Sequence, residues 1–109
     1  MSKYGIIKLM DPWAGLGDDD EAADRYMELG ELTEEKYRQI IKQDLVPYYC
    51  SLPEKKRLDL LNKLKIALED KKCNFEREFN SVLPPFDPPE DPKQFFVWIY
   101  EELQGIGEA

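Results

Sequence analysis

The sequence predicts an all-α fold, a small bundle of four or five helices with a short extended segment at its N-terminus. Apolar residues recur at three- and four-residue spacing along several stretches, the period of a helix that lays one face on a core. Those stretches open at residues able to cap a helix and close near glycine or proline. The size also suits one core and not two: 109 residues, 42% hydrophobic and 35% charged, read as a single folded domain over 1–109 rather than a disordered segment.

The opening "KYGIIKLM" has no helical stripe and reads as extended, a lone strand over residues 3–10 or an arm laid on the core. "DPWAGLG" comes next as a turn, punctuated by Asp-Pro and two glycines, so that 1–17 together form an arm and turn. A first helix is expected from about Asp19 to Leu29, with Ala22, Ala23, Tyr26, Met27 and Leu29 on its apolar side and Gly30 ending it. Thr33 caps a second, whose face carries Tyr37, Ile40, Ile41, Leu45 and Tyr48. Pro47 should end or kink that helix, because it has no amide hydrogen for the preceding turn. Ser51 and Glu54 have capping-box spacing and open a third helix, with Pro53 in its first turn and a stripe of Leu58, Leu61, Leu64, Ala67 and Leu68. Phe75, Phe79, Val82 and Leu83 resume the period, in a continuation or in a fourth helix capped by Asn74. Five prolines in the nine residues "PPFDPPEDP" make 84–91 an extended, rigid connection. Asp91-Pro92 starts the last helix, in which Phe95, Ile99 and Leu103 form one stripe, Phe96, Trp98 and Tyr100 widen it, and Gly105 and Gly107 mark a frayed end.

Charge is distributed unevenly. The net charge is −8, and the stretch from Asp18 to Glu35 alone carries nine carboxylates against one base, Arg25. Carboxylates at a helix N-terminus are favoured by the helix dipole, which accounts for one or two of them and not for nine. By contrast, seven Lys or Arg stand between Lys55 and Lys72. The acidic field disfavours nucleic acid and anionic membrane as partners and favours a basic protein surface. No apolar run is long enough to span a membrane, and the start is too soon interrupted by charge for a signal peptide. The expected location is the cytoplasm.

The sequence offers catalysis little. It contains no histidine, the usual acid–base group near neutral pH, and no nucleophile elbow, phosphate loop or dinucleotide fingerprint. The expectation is a protein that is not an enzyme and holds no cofactor. Cys50 and Cys73 read as reduced thiols, too few for a disulfide framework or a structural zinc site. Counted as a calcium loop from Asp18, the sixth residue is Ala23 and the twelfth Leu29, where glycine and glutamate are needed. No metal site is therefore expected.

Most of the aromatic residues fall on helical stripes and read as core. Trp13 beside the acidic helix, the pair Tyr48-Tyr49 after Pro47, and Trp98 or Tyr100 are less easily absorbed that way. Aromatics rimmed by charge are what binding hot spots look like. The candidate partner-binding residues are accordingly Trp13, Tyr48 and Tyr49 together with the acids Asp18, Asp19, Asp20, Glu21, Asp24, Glu28 and Glu31.

In its size, its acidity and the segment "DDDEAADRYMELGELTEE", the chain resembles bacterial immunity proteins, which neutralise nuclease toxins of contact-dependent inhibition or bacteriocin systems. The resemblance implies a cognate toxin domain as the basic partner and occlusion as the mechanism, with the acidic patch pairing with toxin Arg and Lys side chains over the active site or a neighbouring exosite. The alternative is a regulatory adaptor or small subunit of a larger complex, a reading that suits the basic third helix.

Overall fold

The computed structural model describes residues 6–16, 20–82 and 84–108. The order of elements is a 3-10 helix Ile6–Trp13, α1 Asp20–Met27, α2 Glu34–Ile40, a π-helical segment Ile41–Leu45, α3 Val46–Ser51, α4 Glu54–Glu69, α5 Phe75–Ser81 and α6 Pro92–Glu108. The fold is a small all-α bundle, 34 × 32 × 23 Å in extent.

The extended arm expected over 3–10 is, in its described part, the 3-10 helix instead. Ile6, Leu9, Met10 and Trp13 are all buried, at the three- and four-residue spacing that lets one side of a short helix face a core. Pro12 lies inside it, where its fixed φ near −65° is compatible with the helix. Gly15 then turns the chain at φ +76°, and its amide donates to the Val82 carbonyl at 2.7 Å, fixing the turn to the end of α5.

Several local expectations hold. Gly30 comes just after α1 at φ +71°, the left-handed conformation that glycine adopts without a Cβ penalty. Thr33 Oγ1 accepts from the Lys36 amide and Asn74 Oδ1 from the Arg77 amide, so the segment after α4 is a separate, capped helix. Asp91 Oδ1 accepts from the Lys93 amide at 3.2 Å at the start of α6. Leu83 lies outside the described residues.

Pro47 does not end the second helix. α2, the π-helical segment and α3 run on without a break from 34 to 51. In a regular α-helix the Pro47 ring would meet the Gln43 carbonyl. The turn just before it is widened, with the Val46 amide reaching back five residues to the Ile41 carbonyl. The extra residue rotates α3 about the helix axis, so Tyr49 and not Tyr48 joins Tyr37, Ile40, Ile41 and Leu45 in the core.

Two further local readings are corrected. Ser51 does not cap α4: its Oγ donates to the Tyr48 carbonyl at 2.6 Å, and α4 begins after Pro53 without a side-chain cap. The buried face of α4 is Leu60, Leu64 and Ala67, whereas Leu58 is 60% exposed. At the C-terminus, α6 continues through Gly105 and Gly107 to Glu108.

The core centres on aromatic rings. Phe86 and Phe95 lie 5.7 Å apart, and both meet Trp13, Tyr37 and Phe79 at centroid distances of 5.4 to 6.3 Å, mostly edge-on as the ring quadrupoles favour. Across the top of α2 and α6, Arg38 bonds Glu34, Glu101 and Glu102. Among the described residues no helix is long and apolar enough to cross a membrane.

Candidate functional site

The acidic helix α1 is fastened to the body through Tyr26. Tyr26 is buried against Phe86, with centroids 5.3 Å apart, and its hydroxyl donates to Asp44 Oδ2. The same oxygen accepts from Trp13 Nε1 at 2.9 Å, and Arg25 Nη2 donates to the Tyr26 hydroxyl at 2.7 Å. Asp44 belongs to the π-helical segment. The widened turn required by Pro47 thus presents a carboxylate to two otherwise unpaired aromatic donors, joining three elements. Burial, reinforced by the Asp44 hydrogen bond, pushes the Tyr26 phenol up to about 12.

The proline content of 84–91 predicts a connection between helices. In the structure it is a wall. Phe86 is buried under it, and Tyr37 donates its hydroxyl to the Asp87 carbonyl at 2.8 Å. The prolines cost little further ordering entropy, since their φ angles are already restricted. Burial, then the Asp87 charge, raises the Tyr37 phenol to about 12.

Between this wall and the C-terminal end of α1 lies an open groove of about 650 Å³. Met27, Leu32, Phe86 and the prolines 84, 85, 88 and 89 give it an apolar lining, and Glu31, Asp87 and Glu90 are its charged residues. No Lys or Arg is among its described lining residues. The nearby Lys36 is engaged elsewhere, because its ammonium donates to the Leu29 and Glu31 carbonyls. Met27, at 73% exposed, is the most exposed of the large hydrophobic side chains described.

The candidate residues separate accordingly. Asp20, Glu21, Asp24, Glu28 and Glu31 are exposed on or just after α1, with Glu31 in the groove; Asp18 and Asp19 lie outside the described residues. Trp13 cannot serve as an exposed anchor. It is fully buried, stacked in the aromatic core and bonded to Asp44. Tyr49 is buried as well and donates to the Arg57 carbonyl. Tyr48 is half-buried, donates to Asp11 Oδ2 at 2.9 Å and, like Tyr49, does not line the groove. The exposed apolar contact is Met27, which its spacing alone marks as part of a core stripe.

The described small hydroxyl side chains and the Cys73 thiol are engaged or protonated. Ser51 and Ser81 donate their hydroxyls to backbone carbonyls, and Thr33 caps a helix. Both cysteines are free thiols, and burial pushes Cys73 up to about 11, which keeps it protonated at neutral pH. Among the described residues no group of three or more Cys, Asp or Glu could hold a metal ion. Comparison with family models, curated proteins and solved structures found no match.

Proposed function

We propose that this chain is an acidic protein-binding module and not an enzyme, and that it acts as an immunity protein. It would neutralise a cognate nuclease-type toxin by covering the basic surface on which that toxin holds nucleic acid. The observation that carries this reading is the groove beside α1: an apolar lining, acidic charges, and no cation among its described residues. A basic loop with one apolar side chain fits such a surface, the side chain against Met27 and Leu32 and the flanking Lys or Arg toward Glu31, Asp87 and Glu90. The exposed acids of α1 extend the same field outward and would raise the rate of encounter.

The test uses a basic nuclease domain encoded beside the gene for this chain. The chain should inhibit its cleavage of nucleic acid, and replacing Asp20, Asp24, Glu28 and Glu31 by their amides should slow association by about tenfold or more at low salt. The deficit should shrink as salt rises. A quadruple variant that captures the nuclease as fast as the parent would sink the reading. The alternative, a regulatory adaptor or small subunit, draws on a different part of the molecule, the lysine-rich helix α4.

A further inference from the structure

Met10 and Met27 sit in opposite surroundings. Met10 is fully buried in the core, whereas Met27, the last residue of α1, is 73% exposed. Met27 also lines the groove, beside Leu32, Phe86 and four prolines. A methionine there offers apolar contact through a flexible thioether, which adapts well to an irregular partner surface. Its sulfur is also readily oxidised, and no cysteine, tryptophan or second methionine is among the described residues of that lining.

We infer that Met27 is a redox-sensitive site: a peroxide converts its thioether to the sulfoxide and so weakens the groove's hold on a basic partner. The inference rests on the groove being the partner site proposed above. The sulfur attacks one peroxide oxygen, and an S–O bond forms as the O–O bond breaks. Sulfur gives up two electrons, the peroxide is reduced, and the departing hydroxide takes the proton of the transferred oxygen and leaves as water. No group of the protein has to supply or accept a proton, so access to the sulfur decides which methionine reacts.

The product suits the groove poorly. A sulfoxide is polar, and its oxygen needs a hydrogen-bond donor. The four prolines of the lining have no amide hydrogen. The hydroxyls of Tyr26 and Tyr37 already donate to Asp44 and to the Asp87 carbonyl. Ionised carboxylates, as at Glu31, Asp87 and Glu90, only accept. In the free chain water satisfies the oxygen, because Met27 is exposed. A partner that seats an apolar side chain on Met27 strips that water away and leaves the oxygen unpaired, which weakens binding and not folding.

The test is brief treatment of the full chain with hydrogen peroxide, followed by a thiol reductant that reverses disulfides and sulfenic acids but not methionine sulfoxide. Peptide mass spectrometry should find Met27 oxidised at least about tenfold faster than Met10, which peroxide reaches only when the core opens. The melting temperature should not move, since the modified side chain is exposed. Capture of the neighbouring nuclease domain should weaken by about tenfold or more, and methionine sulfoxide reductases should restore it. Met27→Leu keeps the apolar contact and removes the sulfur, so that chain should capture the nuclease equally well before and after peroxide. The inference is overturned if Met10 and Met27 oxidise at the same rate, or if the oxidised chain captures as tightly as the untreated one. A Met27→Leu chain that loses capture on treatment also overturns it and places the sensitive group elsewhere. Each of these results leaves the proposed function standing. An untreated chain that captures no nuclease removes that function, and this inference with it.

Discussion

Helix α6 buries Phe95, Phe96, Trp98, Ile99 and Leu103, whereas α1 buries Tyr26 alone among its described side chains. Both are helices on the same core, yet packing dictates the composition of one and hardly touches the other. α1 is attached through the Tyr26 ring and a polar junction at Asp44. Most of its described surface is exposed and rich in carboxylates. A helix so lightly held has its exposed residues set by solubility or by a partner, not by the fold.

The comparison can be broken most directly at Phe95, which touches Trp13, Tyr37, Phe79, Phe86 and Phe96. Phe95→Ala should cost about 4 kcal/mol, as truncation of a buried aromatic does, and lower the melting temperature of the whole molecule. A loss under about 1 kcal/mol would mean that α6 is not the central helix of the fold.

Asp44→Ala should cost about 3 kcal/mol, because the Trp13 indole and the Tyr26 hydroxyl would both lose their acceptor in a partly buried site. Its signature is local as well as global: hydrogen exchange of the α1 amides should accelerate more than that of α6. Equal acceleration in the two helices would show that α1 is held by more than this junction.

A smaller loss should accompany a rise in pH. The phenols of Tyr26 and Tyr37 lie at about 12 in the folded protein against an ordinary value of 10.0, and Cys73 at about 11 against 9.0. Each folded value is raised, so the stabilisation is complete below the unfolded value and disappears as the pH climbs through the folded one. Denaturation midpoints should therefore decline between about pH 9 and 12. Tyr37→Phe should flatten that decline; an unchanged slope would place the titration elsewhere.

The smallest expected change is at the outer face of α1. Asp24→Asn with Glu28→Gln should shift stability by less than about 0.5 kcal/mol, since both side chains are exposed. A loss of about 2 kcal/mol, on the scale of a buried contact, would make these acids structural and erase the contrast with α6.

What was legible in the sequence was local. Thr33 and Asn74 cap their helices because a side-chain oxygen reaches an amide three residues on whatever lies around it. The stripe through Tyr37, Ile40, Ile41 and Leu45 and the one through Phe95, Ile99 and Leu103 are read from period alone. The departures share a cause. The 3-10 helix is short and has its apolar spacing interrupted by Lys8 and Asp11, so its buried side is visible only against a core. α4 has apolar residues on more than one side, and period alone cannot say which side is buried.

The sequence by itself determined the all-α class, the caps at Thr33 and Asn74, the acidity of α1 and the lysine content of α4, because each depends on residues a few positions apart. Tertiary structure decided that Pro47 widens a turn instead of breaking a helix, and that the widened turn brings Asp44 to Trp13 and Tyr26 from 31 and 18 residues away. It also decided that 84–91 is the wall of a groove, through the burial of Phe86 and the bond from Tyr37 to Asp87. These outcomes depend on which distant surfaces meet, and the free energy of burying rings together is not written in the spacing of any one segment.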